Sequence, residues 1–287
     1  MSPSADAERG REPGGGRSIR SPTVPDIPEA VFELEGARAV PTVLARGPWS
    51  PDAMHGGAPA ALLARAVERH DPGPASFVSR LTIDLLRPVP LAPLDVVSRT
   101  TRPGKKVQWV EASLLAGDVE VARASALRLR TTEPLGLPLP APPPATIAAP
   151  DASDVLEVKL PHVSGPGFWV AVEFRVAEGS WTATGPATIW FRLRADVVAG
   201  ETPSPLQRVA AAADFGNGVS TVLPRGEYLF INPDLSIHLH RYPVGEWVAL
   251  DATSRAENVG VGLAMCDLHD EVGAIGRSIQ TLLVDHL

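Results

Sequence analysis

The stretch LTIDLLRPV, from Leu81 to Val89, returns later in the chain as LSIHLHRYPV, from Leu235 to Val244. Four of the first seven positions are identical, and Thr82 is exchanged for Ser236. The two copies stand 154 positions apart (235 − 81), Arg123 and Arg277 keep that spacing (277 − 123), and Ser98-Arg99 and Ser254-Arg255 lie 156 apart (254 − 98). A chain written as two copies of one unit is a pseudo-dimer, and a shared site is expected between its halves.

The composition limits what such a molecule can be. With 287 residues, 44% of them hydrophobic, the chain suits two domains of ordinary size. The sequence shows no run of about 18 or more apolar residues. The first thirty residues lack the apolar segment of a secretory signal, so a cytoplasmic protein without a membrane span is expected. The net charge of −7 argues against nucleic acid as a partner, because phosphate-backbone affinity needs clustered Lys and Arg. One local cluster exists: Arg99, Arg102, Lys105 and Lys106 surround a turn at Pro103-Gly104, and Arg99, Lys105 and Lys106 are the candidates for meeting an anionic ligand. The single cysteine, Cys266, has no recognisable base or ligand cluster near it and reads as a small buried hydrophobe.

Residues 1–25 carry Ser, Gly, Pro and Arg with little to bury, and are expected to be a disordered tail. Residues 26–132 form the first unit. Residues 133–155, with seven prolines between Glu133 and Pro150, read as a semi-rigid linker, and 156–287 as the second unit. In the first unit, Gly56-Gly57 precede APAALLARAVERH, whose apolar Ala60, Leu63, Ala64 and Val67 have helical spacing. Four long strands are expected after it: FVSRLTIDLL, LDVVSRTTR, VQWVEASLLA and VEVARASALRLR. The second unit repeats the order. Ser204-Pro205 starts the helix LQRVAAAADF, Gly216 is placed as its C-terminal cap, and YLFINPDLSIHLH, EWVALDATSR, VGVGLAMCDL and VGAIGRSIQTLLV are read as strands. One alanine-rich helix followed by long antiparallel strands, twice over, is what a curved sheet wrapped around a helix requires. The expected fold is therefore α+β, a double hotdog, with two unrelated α+β domains as the alternative.

Four segments carry a family resemblance: His55-Gly56-Gly57 ahead of the first helix, AAADFGNG from Ala211 to Gly218, NPDLSIHLHR from Asn232 to Arg241, and RSIQ ending at Gln280. Together they make residues 30–287 resemble the double-hotdog acyl-CoA thioesterases of the type II, TesB-like class. The resemblance implies hydrolysis of an acyl-CoA to free acid and CoA without a cofactor. It also implies that Asp214, Asn232 and Gln280 hold the hydrolytic water. At the middle position the best-known members have Thr, where this chain has Asn232. A homodimer or larger homo-oligomer is expected by the same analogy.

The residue types fit this chemistry. Thioester hydrolysis needs a positioned water, an acceptor for its proton and donors for the developing oxyanion. Asp214 is placed in the last turn of its helix, where the macrodipole disfavours a carboxylate by about 0.3–1 kcal/mol, which argues for a role beyond surface solvation. Gln280 is expected on a strand face with Ala274, Gly276 and Ser278, opposite Ile275, Ile279 and Leu283. Gly57, at a side-chain-free helix start, offers its backbone amide to an oxyanion. His238 and His240 share one side of their strand, but a third metal ligand is not evident. Two rival readings remain: a hotdog enoyl-CoA hydratase or dehydratase, which needs a His beside a carboxylate, and a non-catalytic acyl-CoA-binding protein.

Overall fold

The computed structural model describes residues 27–71, 75–140, 146–158, 165–224 and 226–287. The tail expected at residues 1–25 lies outside the described residues. The first unit runs β1 (Ala30–Glu35), β2 (Arg38–Pro41), α1 (Gly57–Arg69), β3 (Ser76–Leu85), β4 (Leu94–Arg102), β5 (Val107–Ala116) and β6 (Val119–Arg130). The second runs β7 (Asp154–Leu156), β8 (Val172–Glu178), β9 (Ala187–Leu193), β10 (Asp196–Val198), α2 (Pro205–Ala213), α3 (Gly216–Val219), β11 (Tyr228–Ile231), β12 (Asp234–Leu239), β13 (Val248–Glu257), β14 (Val261–Asp270) and β15 (Gly273–His286).

The repeated stretch decides the architecture because its two copies pair with each other. β3 and β12 are antiparallel neighbours, with Thr82 opposite Ser236, Leu81 opposite Ile237 and Ile83 opposite Leu235. Each of Thr82 and Ser236 therefore faces its own repeat mate, and Ser236 Oγ donates to Thr82 Oγ1 at 3.2 Å. A pseudo-two-fold axis passes between them. The sheet extends outward from this seam in both directions, β10-β1-β2-β4-β5-β6-β3 on one side and β12-β15-β14-β13-β9-β8-β7 on the other, with β11 added to β15. The result is an open α+β double hotdog. Alternation along the seam is regular: Leu81, Ile83, Leu235 and Ile237 are at most 1% exposed and face the helices.

Alanine lets the sheet close tightly on those helices. In α1, Ala58, Ala60, Ala61 and Ala64 are buried with Leu62 and Leu63, and in α2 Ala210 to Ala213 are buried with Leu206 and Val209. Ser204 caps α2, its Oγ accepting from the Gln207 amide at 3.1 Å, and Pro205 takes the first helical position, where an amide would have no intrahelical partner. The helices run antiparallel, since Ser204 at the start of α2 donates to Glu68 near the end of α1 at 2.6 Å, while Gly56 at the start of α1 meets Asp214 at the end of α2.

Several local expectations are corrected. Gly216 does not cap α2 in a left-handed conformation; it opens α3, and its lack of a side chain is a matter of space, because a Cβ there would lie 2.8 Å from Cys266 Sγ and 2.9 Å from Gln280 Oε1. The strand expected across Tyr228 to His240 is two strands, β11 and β12, broken at Asn232-Pro233. Between the pairs Ile231–Leu283 and Ser236–Ile279 this side carries four residues where β15 carries three, a bulge that re-aims Asn232. A second bulge, at Ile275, shifts the register of β15 against β14. Ala274 is consequently exposed and Ile275 buried, whereas Ser278, Gln280 and Leu282 line the inner face. Within residues 133–155, where a spacer is expected, 141–145 lie outside the described residues. The part that follows straps onto the second unit: Trp190 Nε1 donates to Ala148 O at 2.8 Å and Arg175 to Pro150 O at 2.9 Å.

Candidate active site

Asp214 ends α2 as its C-cap, and its side chain is 5% exposed at the seam between the two helices. Its carboxylate is held from three sides. Asn232 Nδ2 donates to Oδ1 at 2.8 Å, His55 Nδ1 lies 3.0 Å from Oδ2, and the Cα of Gly56 packs so close that a Cβ there would stand 2.6–2.9 Å from the carboxylate atoms. The start of α1 faces this carboxylate, and its positive end offsets the unfavourable position that Asp214 has on its own helix.

Gln280 acts on the backbone. Its Nε2 donates to the Asp214 carbonyl at 3.1 Å, and its Oε1 accepts from the Asn217 amide at 3.0 Å, so one buried side chain ties the last carbonyl of α2 to the first turn of α3. Gln280, expected to touch the water, is thus bonded to the backbone that carries the carboxylate. Behind it, burial pushes the Cys266 thiol up to about 12, which keeps it a neutral packing group.

His55 is a site residue that sequence reasoning leaves without a role, although it stands in the His-Gly-Gly segment. Its Nδ1 makes two contacts that compete. It lies 3.0 Å from the Gly57 amide nitrogen, which donates to it, and 3.0 Å from Asp214 Oδ2. One ring nitrogen offers either a lone pair or a proton. With the lone pair it accepts from Gly57; with the proton it donates to Asp214 and leaves the Gly57 N–H free for another acceptor. The signal available in the sequence was chemical: a proton-transferring side chain directly before a side-chain-free helix start.

Asp214, Asn232, Gln280 and Gly57 are therefore brought together, across the two units. Arg99, Lys105 and Lys106 are not. Arg99 sits on the outer face of β4, opposite in sense to Ser98 and Thr100, which reach His70 at the far end of α1, and it donates to Glu111 Oε2 at 2.7 Å. The turn carrying Lys105 and Lys106 follows β4 beyond Thr100. A 13-residue helix separates the two ends of α1 by about 20 Å.

The opposite end of the helix pair repeats the geometry with other chemistry. Glu68 faces the start of α2 as Asp214 faces the start of α1, but the amide of Gly57 is replaced by Pro205, which has no N–H. The carbonyls at the end of α1 are taken by buried Arg128, which donates to Val67 O, to His70 O at 2.7 Å and to Asp71 O at 3.2 Å. Burial raises the Glu68 carboxyl above the usual range, against the opposing bond from Ser204. A carboxyl whose value is raised on folding holds its proton longer in the native state, so its contribution to stability is complete in acid and is lost as the pH rises from the usual glutamate range through the raised value. Glu68→Gln is expected to flatten this part of the pH profile of the urea midpoint and to leave turnover unchanged. An identical slope in parent and variant would refute the assignment.

The two family models that match are the acyl-CoA thioesterase N-terminal domain, over residues 45–129, and the acyl-CoA thioesterase C-terminal domain, over residues 141–284. The fold is shared with a proposed thioesterase II from Thermobifida fusca (19% identity, TM-score 0.67, covering 90% of this chain and 96% of that one). It is shared equally with a hot dog fold protein of Alicyclobacillus acidocaldarius (14%, TM-score 0.67, 90% and 97%). An acyl-CoA thioesterase II of Mycobacterium marinum also matches (17%, TM-score 0.58, 88% and 95%). No curated protein matches the chain. A double hotdog with a buried carboxylate at its seam thus defines the class of protein. The chain belongs to the acyl-CoA thioesterase family and is a thioester hydrolase. Among the described residues, no helix is long and apolar enough to cross a membrane.

Proposed function

We propose that the seam site hydrolyses acyl-CoA thioesters, with Asp214 taking the proton of the attacking water. The observation that carries this reading is the contact of Asp214 Oδ2, from the second unit, with His55 Nδ1 of the first at 3.0 Å, the same nitrogen lying 3.0 Å from the Gly57 amide. Asn232 fixes Oδ1, so the remaining oxygen, beside His55, is the proton acceptor. When His55 Nδ1 carries its proton and donates it in a hydrogen bond to one lone pair of Asp214 Oδ2, the Gly57 amide is free to face the thioester oxygen, where the start of α1 favours negative charge, and the second lone pair of Oδ2 takes the water proton. Gln280 is a positioning residue. Truncating it in Gln280→Ala is expected to lower kcat by about 10-fold or more, as expected when reacting groups lose their alignment, with little change in KM. Gln280→Glu, which keeps an acceptor for Asn217 and loses the donor to Asp214, should recover only part. Equal kcat in all three proteins would remove Gln280 from the site.

The test of the proposal is release of free CoA from acyl-CoAs of graded length, measured as thiol. Release by the parent is expected, and none at any length would leave only the binding reading. The His55–Asp214 contact also favours a second reading, since a histidine beside a carboxylate is what a hydratase needs to move a proton at carbon. Crotonyl-CoA separates the two: loss of the enoyl-thioester absorbance without thiol release would establish hydration, and loss matched by thiol release, with crotonate as the product, would establish hydrolysis.

A further inference from the structure

Resting on the hydrolase reading, we infer that the acyl side of this site is closed by a wall of aromatic rings headed by Phe215, and that its substrates are short-chain acyl-CoAs. The wall begins at the catalytic residues. The His55 ring stacks on Phe168 at a centroid separation of 5.1 Å and meets Phe215 at 4.4 Å. Phe215 follows Asp214 directly in the chain, so the helix end that holds the carboxylate also delivers the ring. Behind Phe215 stand Phe174, edge-on at 5.3 Å, and Phe191 at 5.1 Å, and Phe174 continues to Trp181 at 5.8 Å. Centroid separations of this size are those of rings in contact, which leave no slot for a methylene chain between them. Phe168, Phe174, Phe191 and Phe215 are 1%, 2%, 2% and 5% exposed.

The direction of the substrate follows from charge. The CoA phosphates and adenine stay in water, on the side where Asn232 is half-buried. The acyl group is the part that enters, and Phe215 is the first side chain beyond His55 in its way. The opposite side offers no detour: a Cβ at Gly57 would already lie 2.6 Å from Phe168 and 2.8 Å from Ala211 O, and the α2 alanines are buried against the sheet. In this reading an acyl chain of a few carbons ends in front of Phe215. A longer one meets packed aromatic carbon, and hydrophobic pockets discriminate by roughly 10-fold or more per methylene.

The experiment is kcat/KM for acetyl-, butyryl-, octanoyl- and palmitoyl-CoA, read as thiol release, in the parent, Phe215→Ala and Phe174→Leu. The parent is expected to favour butyryl- over palmitoyl-CoA by at least about 10-fold, and Phe215→Ala to shift that ratio toward the long chain by a similar factor. Phe174→Leu, which deepens the wall behind Phe215 while keeping its bulk, should raise octanoyl-CoA turnover relative to butyryl-CoA even if Phe215→Ala does not fold. A parent that cleaves palmitoyl- and butyryl-CoA equally, or variants that scale every length alike, would overturn this inference while leaving the hydrolase reading intact. Absence of thiol release at every length would overturn both.

Discussion

Asp214→Asn is expected to lower kcat for acyl-CoA hydrolysis by about 10²–10⁴, the range for removal of a positioned general base. KM and the thermal midpoint should stay close to those of the parent. The substitution changes almost nothing except proton affinity. An asparagine carbonyl in the place of Oδ1 still accepts from Asn232 Nδ2, now 2.8 Å away, and the backbone carbonyl still accepts from Gln280. What is lost is the lone pair facing His55 Nδ1: an amide NH2 there cannot take a proton, and it forces the Nδ1 lone pair into the acceptor role, away from the tautomer that frees the Gly57 amide. One change therefore disables both the base and the release of the oxyanion donor. Glu68→Gln at the far end of the same helix pair is the control, because it alters a buried carboxyl in the mirrored position where Pro205 provides no amide. Full turnover by Asp214→Asn would remove the hydrolytic role from the seam.

Much of this arrangement is legible in the sequence because the repeat is a statement about pairing. Equal spacing of Leu81 to Arg87 and Leu235 to Arg241 makes the two stretches equivalent, and equivalent strands at a two-fold seam must face each other. The helices are legible from alanine content and the Ser204-Pro205 start. Other elements are silent for definite reasons. In β1 three buried residues precede three exposed ones, and β9 opens on five consecutive buried residues because both its faces are covered, so neither shows the alternation that marks a half-buried strand. The bulges at Ile275 and at Asn232-Pro233 are invisible to a period of two, since each inserts a residue that no periodicity announces; the first misplaces Ala274, and the second is what turns Asn232 toward Asp214. His55 escaped notice because its partner lies 159 positions away (214 − 55), on the other unit. The basic turn is the complementary case: its charge is legible, but which end of α1 a hairpin reaches is not.

Gly56→Ala is expected to lower kcat by about 10² or more through displacement of the carboxylate. The backbone does not require glycine here, since φ −59° and ψ −26° suit any residue, although at an N-cap glycine is preferred to alanine. Space requires it. The added Cβ would lie 2.6 Å from Asp214 Oδ1, 2.7 Å from Oδ2 and 2.9 Å from Cγ, all inside van der Waals contact. Relief must come from Asp214, whose backbone is anchored by Gln280, so its side chain has to rotate away from Asn232 and His55. Overpacking of this kind costs about 1–3 kcal/mol. The origin of the loss is open to a double-mutant cycle on the urea midpoint and on thiol release. In an Asp214→Ala background the obstructing carboxylate is gone, so adding Gly56→Ala should cause little further loss of stability and none of turnover. If Gly56→Ala alone keeps the parental kcat, or if its cost persists undiminished in the Asp214→Ala background, the contact between the start of α1 and the Asp214 carboxylate is not what aligns this site.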